Sequence, residues 1–480
     1  MNSKMHRRSF LKRTALAAGA LSTASELGFP NLLSAREPSD VLRCLQIGSG
    51  GRAGTHLEQA IGIQQQHLVA LVDPDDKQIA EKRKWLKKKF DLETDQVQLF
   101  SDYRVAFDKI SAQFDAVFVA APNHHHAAAA MLAMQAGKHV YCEKPLCHDI
   151  AQCRELASAS LRYNRVATMM GNQGHCEGGY RRLCEFIWGG VIGNVTETHS
   201  WTDRANGGEG PRPPTLPVPP GMHWDSWIGP APYRDFHSDL HPHEWHGWYD
   251  FGNGSIGNMG CHVLEGVFWA LKAEHPTSVE MEYVRGGSDE RYPLGSRVRW
   301  DIPARGNMPP LKAYWYEGLN PAAKASDFGS LHAARGKARN FPPLMAELLA
   351  KYPDEELDRP DSGSLYVGDK GIIFTETYGG KMHILPLEKM NEIQQPPVSL
   401  PRPNPNPFTN FIQTCRAGRT DTATPFEYGA RLTEFCLLGN LAQHAGTGNK
   451  VQWDGQNMKV TNLTGLNQWI KRSPRDGWIT

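Results

Sequence analysis

The sequence predicts an α/β N-terminal domain built on a doubly wound parallel sheet, followed by an α+β domain with a large, mostly antiparallel open sheet. Three observations carry this. Between residues 41 and 73 a short apolar run, a glycine-rich turn, a helix-like stretch, a second apolar run and an acid follow one another directly. Apolar runs and helix-like stretches then alternate to residue 143, the pattern of parallel strands joined by crossover helices. From residue 195 onward strand-like runs recur between long loops, two of them rich in proline.

Composition bounds the rest. At ~150 residues per domain, 480 residues suggest two to three domains. Hydrophobic residues make up 40% and charged residues 21%, which excludes a disordered or collagen-like chain. Lys+Arg is 52 against 51 for Asp+Glu, so no global basic field exists to hold nucleic acid. No apolar run approaches the ~18 residues of a membrane helix. The nine cysteines form no C-x-x-C pair, so buried structural thiols are expected rather than a zinc site or a disulfide framework.

The first element is an address. Residues 1–25 hold Lys4, Arg7, Arg8, Lys12 and Arg13 and no acid, ahead of a weakly apolar stretch from Ala15 to Leu21. Arg7-Arg8-Ser9-Phe10-Leu11-Lys12 resembles a twin-arginine export signal, with cleavage near residue 35 and a periplasmic destination.

Residues 41–47 read as a buried strand, Gly48-Ser-Gly50-Gly51-Arg52-Ala53-Gly54 as a tight turn, Thr55 to about Gln66 as a helix, and His67–Val72 as a second strand ending at Asp73. Each part has a physical job in a Rossmann dinucleotide site. Gly48 permits the turn, and Gly50 lets the backbone approach a pyrophosphate at the helix N-terminus, with Gly51 and Arg52 in the same loop. Ala53 keeps helix and strand in close packing. Asp73 would accept from the adenosine ribose hydroxyls, and its charge would repel a 2′-phosphate, so NAD is favoured over NADP. The basic run 81–89 reads as a solvated helix face.

Residues 114–121 form the next strand, Pro122-Asn123-His124-His125-His126 a loop, Ala127–Ala136 a helix, and Lys138–Cys142 a strand that runs into Glu143-Lys144-Pro145. Ligands bind at the carboxyl ends of such strands. Pro122, Asn123, His126, Glu143 and Lys144 are therefore expected on one rim facing the cofactor. Adjacent residues point apart, so the three histidines are not read as a metal site.

The glycine loop, the Ala-Pro-Asn-His-His-His loop and Gly137-Lys-His-Val-Tyr-Cys-Glu-Lys-Pro145 together resemble the Gfo/Idh/MocA family, the glucose–fructose oxidoreductase and inositol dehydrogenase relatives. The likeness continues through Met170-Gly-Asn-Gln-Gly-His175, Gly193–Glu197, Trp224–Tyr233 and Trp245–His262, strings that look like a long, exported branch. It implies Lys144 beside the nicotinamide and His262 as the proton-transfer residue. Gln173, His175, Trp245 and His246 are expected as substrate contacts. Where the family carries an acid four residues before the histidine, this chain has Asn258, which shares a helical face with His262 and can orient it but cannot stabilise its protonated form electrostatically.

The chemistry reads the same way. Oxidising a secondary alcohol needs a hydride acceptor and a base, and an ammonium nearby stabilises the developing alkoxide. Residues 195–202, 278–286, 297–300, 312–318 and 364–374 supply strands of the second sheet. His237, His241, His243 and His246 cluster in sequence with Trp224, Trp227, Trp245 and Trp248, flat faces and directional polar groups that suit a sugar; their spacing fits no zinc pattern. Residues 408–445 read as helices near the domain junction and 446–480 as a Trp-containing tail docked on the first domain.

The expected organisation is a signal over 1–35, an NAD-binding domain over 40–165, a substrate and oligomerisation domain over 166–400, and C-terminal helices and tail over 401–480. The expected activity is NAD(P)-dependent oxidation of a secondary hydroxyl of a sugar, polyol or glycoside, by a dimer or tetramer with a tightly held cofactor. Export with a trapped cofactor raises a redox-neutral alternative, glycoside cleavage or sugar–sugar oxidoreduction through a keto-sugar. Asn258 keeps open a non-catalytic sugar-binding relative.

Overall fold

The structure, a computed structural model, describes residues 41–322, 339–352 and 361–478. The expected signal over 1–35 lies outside them. The first sheet holds β1 (Arg43–Ile47), β2 (His67–Val72), β3 (Gln98–Phe100), β4 (Ala116–Val119), β5 (His139–Glu143) and β6 (Thr168–Gly171) in the order β3-β2-β1-β4-β5-β6. Every pairing in it is parallel. Both faces are covered, which is why these strands read as continuous apolar runs instead of alternating ones. Leu45, Val117 and Val119 enter one core with Ala129 and Ala133, whereas Cys44, Ala116 and Phe118 enter the other with Leu57 and Leu86.

The crossover helices start where short polar side chains can cap them. Asp75, Asp102 and Asp149 accept the amides of Lys77, Arg104 and Gln152 at the heads of α2 (Asp76–Phe90), α3 (Tyr103–Ile110) and α5 (Ile150–Arg162). The first helix departs from the regular stretch expected. The segment α1 (Ala53–Leu57) passes into a π-helical turn over Glu58–Ile63. Asn123–His126, expected as loop, form the first turn of α4 (Asn123–Gln135). Pro122, at φ −58°, is preset for a helix start, and the carbonyls of Trp227 and Pro145 tether the imidazoles of His124 and His126 there.

The second sheet adds β7 (Val195–Thr202), β8 (Ser278–Arg285), β9 (Gly295–Ile302), β10 (Leu311–Gly318), β11 (Ser362–Gly368), β12 (Ile372–Glu376), β13 (His383–Leu385), β14 (Val451–Asp454) and β15 (Lys459–Val460). Its order is β13-β12-β11-β7-β10-β9-β8-β14-β15, antiparallel except where β7 meets β10. The run expected over 364–374 is thus a hairpin of β11 and β12, turned at residues 369–371. One face of this sheet packs on α6 (Gly178–Trp188), α7 (Glu265–Ala270) and α9 (Phe426–Ala445). The helical stretch expected over 408–445 divides into α8 (Pro407–Arg416) and α9. Arg154 of α5 holds Glu434 of α9, and the core runs continuously from one sheet to the other. The tail splits its docking. It contributes β14 and β15 to the second sheet and then returns to α3, where Trp478 stacks under the Arg104 guanidinium, 3.5 Å from its ring centre. All nine cysteines are buried and unpaired.

Candidate active site

Strand register brings the chemistry to one edge. Ile47 pairs with Val119 and Val119 with Cys142, so the turns after β1, β4 and β5 lie side by side. They open into a cavity of about 420 Å³ whose other walls come from the turns after β2 and β3, Gln173, side chains between residues 204 and 262, Tyr378 and Trp478.

The turn after β1 is built for close approach. Gly48 has φ +79°, and a Cβ on it would sit 2.6 Å from the Ala120 carbonyl oxygen. A Cβ on Gly51 would meet nothing within 4 Å, so this stretch of backbone faces open space. Ala53 is fully buried beneath the loop, in its expected packing role, and does not line the cavity. Asp73 Oδ2 accepts from the Ser49 amide at 2.7 Å and Oδ1 from the Asp75 amide at 2.9 Å. Burial pushes its carboxyl up to about 6, the two amide bonds opposing the shift. Each oxygen retains a lone pair for a ribose hydroxyl. Asn123 Oδ1 is buried, without a hydrogen-bond partner, and its residue lines the same cavity. A glycine cradle, a lone-pair-bearing acid and an orphaned amide oxygen fit a dinucleotide.

The Asp73 end of the cavity is roofed by the long insert after β7. His223 N donates to Pro74 O at 2.7 Å, and His241 Nε2 donates to Asp75 Oδ2 at 2.9 Å. Trp478 closes the same end against Tyr103 and His125.

At the other end Lys144 and Glu143 part company. Glu143 accepts from Arg52 Nε at 2.7 Å and from His56 Nε2 at 3.0 Å. Burial opposes ionisation of Glu143, but Arg52 and His56 outweigh it and hold the carboxyl below the usual carboxylate range. Lys144 Nζ instead donates to Asn258 O at 2.8 Å and Asn258 Oδ1 at 3.2 Å. Burial lowers its pKa.

Asn258 therefore does not orient His262, contrary to the expectation from their spacing. A π-helical turn over Ile256–Gly260 changes their angular offset. His262 Nδ1 donates to Asn172 Oδ1 at 2.8 Å, and the ring edge meets Tyr378 at 4.9 Å. Burial, reinforced by Lys144, keeps this imidazole well below its ordinary pKa and so neutral.

Gln173, Trp245 and His246 line the cavity as expected, Trp245 stacked on His246 at 3.6 Å. His175 does not. Its ring is buried between Trp269 and Tyr428, and Nδ1 donates to Glu265 at 2.6 Å. Of the predicted His/Trp cluster, Trp227, His241 and His243 also reach the cavity, whereas Trp224, Trp248 and His237 pack behind it. Pro122 and His126 line the rim, with the His126 ring nitrogens 2.7 Å from Pro145 O and 2.8 Å from Ala121 O. His124 and His125 tie α4 to Trp227 O. Among the described residues no group of three His, Cys, Asp or Glu could hold a metal ion.

Tyr378 and Trp478 were not legible as cavity residues. Tyr378 stands at φ +66°, where a non-glycine residue is strained, and Gly174 makes room for it: a Cβ there would lie 3.0 Å from Tyr378 Cα. Nothing local in the sequence marks either residue.

Residues 42–171 match a family model described as an oxidoreductase family, NAD-binding Rossmann fold, and residues 192–290 match the C-terminal alpha/beta domain of the same oxidoreductase family. Among curated proteins, a glycosyl hydrolase family 109 protein of Solibacter usitatus is 28% identical over 199 residues, 40% of this chain and 44% of the relative. An inositol 2-dehydrogenase of Saccharopolyspora erythraea is 33% identical over 89 residues, 18% of this chain and 26% of the relative. The matched stretches thus span less than half of each relative. Among solved structures, an inositol dehydrogenase homologue from Azotobacter vinelandii, complexed with NAD+, covers 86% of this chain and 97% of its own at TM-score 0.54 and 14% identity. The aldose-aldose oxidoreductase of Caulobacter crescentus covers 86% and 100% at TM-score 0.51 and 16% identity. These two show the fold. No helix among the described residues is long and apolar enough to cross a membrane.

Proposed function

The chain belongs to the Gfo/Idh/MocA oxidoreductase family, and from that premise we propose that it is an NAD-dependent oxidoreductase acting on a secondary hydroxyl of a sugar, polyol or glycoside. The observation that carries the reading is the convergence of the glycine turn, Lys144 and His262 on one cavity. In this reading Gly48, Gly50, Gly51, Arg52 and Asp73 hold the dinucleotide along the turn and its acid, with Pro122, Asn123, His126 and Glu143 on the rim. The carboxylate of Asp73 disfavours a 2′-phosphate.

When bound, the nicotinamide supplies the hydride acceptor. The chain supplies the proton chemistry. Two of the three Lys144 ammonium protons are taken by Asn258, leaving one to donate to a substrate oxygen and stabilise it as its proton departs. Neutral His262 is the base. Trp245, His246 and Gln173 offer the substrate a stacking face and polar partners. Arg7-Arg8 and the segment after them favour export by the twin-arginine route into the periplasm, and we infer a homo-oligomer.

The match to a glycosyl hydrolase family 109 protein and the roofed Asp73 end of the cavity favour a second reading, a redox-neutral cycle with a retained dinucleotide. One experiment separates the two. The purified protein is denatured and the released small molecules are weighed by mass spectrometry, and in parallel the native protein is offered a sugar and aryl-glycoside panel with and without NAD. NADH accumulating only with added NAD supports the dehydrogenase. Product without added NAD and without NADH, from protein that releases one dinucleotide per chain, supports the cycle. No dinucleotide and no turnover refutes both and leaves a sugar-binding relative.

A further inference from the structure

We propose that Asn172 and Glu265 are positioning residues that fix the tautomer of His262, holding its proton on Nδ1 and leaving Nε2 as the bare acceptor. The inference rests on the base role proposed above for His262, but its central claim concerns the ring alone.

The argument is one of donors and acceptors. Asn172 is fully buried at the head of the turn after β6. Its Nδ2 donates to Cys261 O at 2.9 Å and to the Glu265 carboxylate. An amide nitrogen has two protons and accepts nothing, whereas a carbonyl and a carboxylate only accept. Turning the amide over would set its oxygen against both of these acceptors. Nδ2 is therefore committed to that side and Oδ1 to the other, where it lies 2.8 Å from His262 Nδ1. An oxygen that can only accept requires a proton on Nδ1. A neutral imidazole carries one proton, so Nε2 is bare.

Glu265 is itself held. It is fully buried, its Oε1 accepts from His175 Nδ1 at 2.6 Å and from the Tyr428 hydroxyl, and its Oε2 takes the Asn172 amide. This gives His175 a structural place, behind the acid and away from substrate. It also answers the anomaly at Asn258. The acid that the family resemblance implies four residues before His262 stands three residues after it, one amide removed. When a substrate O–H bond breaks, the electron pair stays on oxygen, an Nε2–H bond forms, and the resulting imidazolium keeps its Nδ1 proton on Asn172 with the Glu265 charge behind it. That is a stabilisation no group at position 258 supplies.

The test reads the ring directly. The full-length protein is deuterated and labelled with ring-¹⁵N histidine, and the His262 signals are identified by their loss in His262→Gln. In the wild type the expected state is a protonated Nδ1 and an unprotonated Nε2. Asn172→Ala removes the acceptor, and the ring redistributes toward the Nε2–H form. Glu265→Gln leaves the Cys261 carbonyl to accept from Asn172 Nδ2, so the tautomer is retained. A wild-type His262 protonated on Nε2 overturns the proposal, as does an Asn172→Ala protein whose His262 signals are unchanged. Should Asn172→Ala fail to fold, the wild-type tautomer and its retention in Glu265→Gln decide. With a turned-over sugar in hand, Asn172→Ala lowers kcat ~10²-fold with little change in KM. These ring measurements need no substrate. A correct tautomer with no turnover of any sugar therefore refutes the base role of His262 and not its orientation.

Discussion

Replacing Gly48 by Ala tests the turn on which the cofactor site is built. Gly48 sits at φ +79°, and its amide donates to Val72 O at 2.8 Å, which pins the turn to the end of β2. Placing a Cβ there costs about 1–2 kcal/mol for the left-handed backbone alone. The same Cβ would lie 2.6 Å from Ala120 O, 2.7 Å from Ala120 C and 2.8 Å from Ala121 N, all backbone of the turn after β4. Relieving such contacts adds about 1–3 kcal/mol of overpacking. The sum, about 2–5 kcal/mol, spread over a cooperative unit of this size, lowers Tm by only about 2–5 °C. The larger effect falls on binding, because the two turns that separate are the ones that flank the cavity: dinucleotide affinity drops at least ~10-fold, the factor that ~1.4 kcal/mol of lost interaction produces. Gly51→Ala is the control. A Cβ there meets nothing within 4 Å, so Tm holds and only the approach of a ligand to that backbone is blocked. Calorimetric titration with NADH and thermal melts of both variants read this out. If Gly48→Ala binds NADH as tightly as the wild type, this turn does not cradle a pyrophosphate, and the roles given to Lys144 and His262 fall with it.

Further outcomes follow from the charges and the tail. Asp73 titrates near 6 in the fold against an ordinary 3.8. A raised carboxyl pKa gives the ligand-free protein stability that is fully present below the ordinary value and is lost as pH rises through 6, about 3 kcal/mol in all. NAD binding runs the opposite way, since ribose hydroxyls need the carboxylate: affinity falls below pH 6 in the wild type, and Asp73→Asn removes both slopes in titrations and melts between pH 4 and 7.5. Glu143→Gln removes the carboxylate from half-exposed Arg52 and from buried His56 and destabilises by about 1–3 kcal/mol in urea unfolding at pH 7. Because the Glu143 carboxyl is held low, its stabilisation is present above the ordinary range and lost as pH falls below about 4.5, so the penalty of the variant shrinks in acid. Trp478→Ala removes the ring beneath Arg104 and beside Tyr103. It costs about 3 kcal/mol in docking of the tail, seen as faster hydrogen exchange at residues 475–478 with the exchange of β14 unchanged.

The first domain was readable because its signals are local. A buried parallel strand announces itself as an apolar run, a glycine at positive φ marks the turn, and an acid at the next strand end completes a unit of about thirty residues whose pinning bonds, Gly48 N to Val72 O and Ser49 N to Asp73, lie within it. The same locality placed Lys144 at the carboxyl end of β5. The second sheet was readable in part, since period-2 runs give strands but not the hairpin at 369–371 or the parallel pairing of β7 with β10.

Partnership was not readable. Spacing put Asn258 and His262 on one helical face, but a π-helical turn rotates Asn258 to Lys144 and leaves His262 to Asn172, which lies 90 residues away in sequence. His175, in a string that resembles a substrate-contacting segment, turns inward to a carboxylate on α7. Tyr378 reaches the cavity from a strained turn after β12, and Trp478 from the chain end. The sequence alone decides which residues can form strands, turns and caps, because those preferences are set by backbone sterics and by neighbours a few positions off. Which donor meets which acceptor is decided only when α7, α9 and the second sheet close over the first, because a buried hydrogen bond depends on distances between segments that no local pattern encodes.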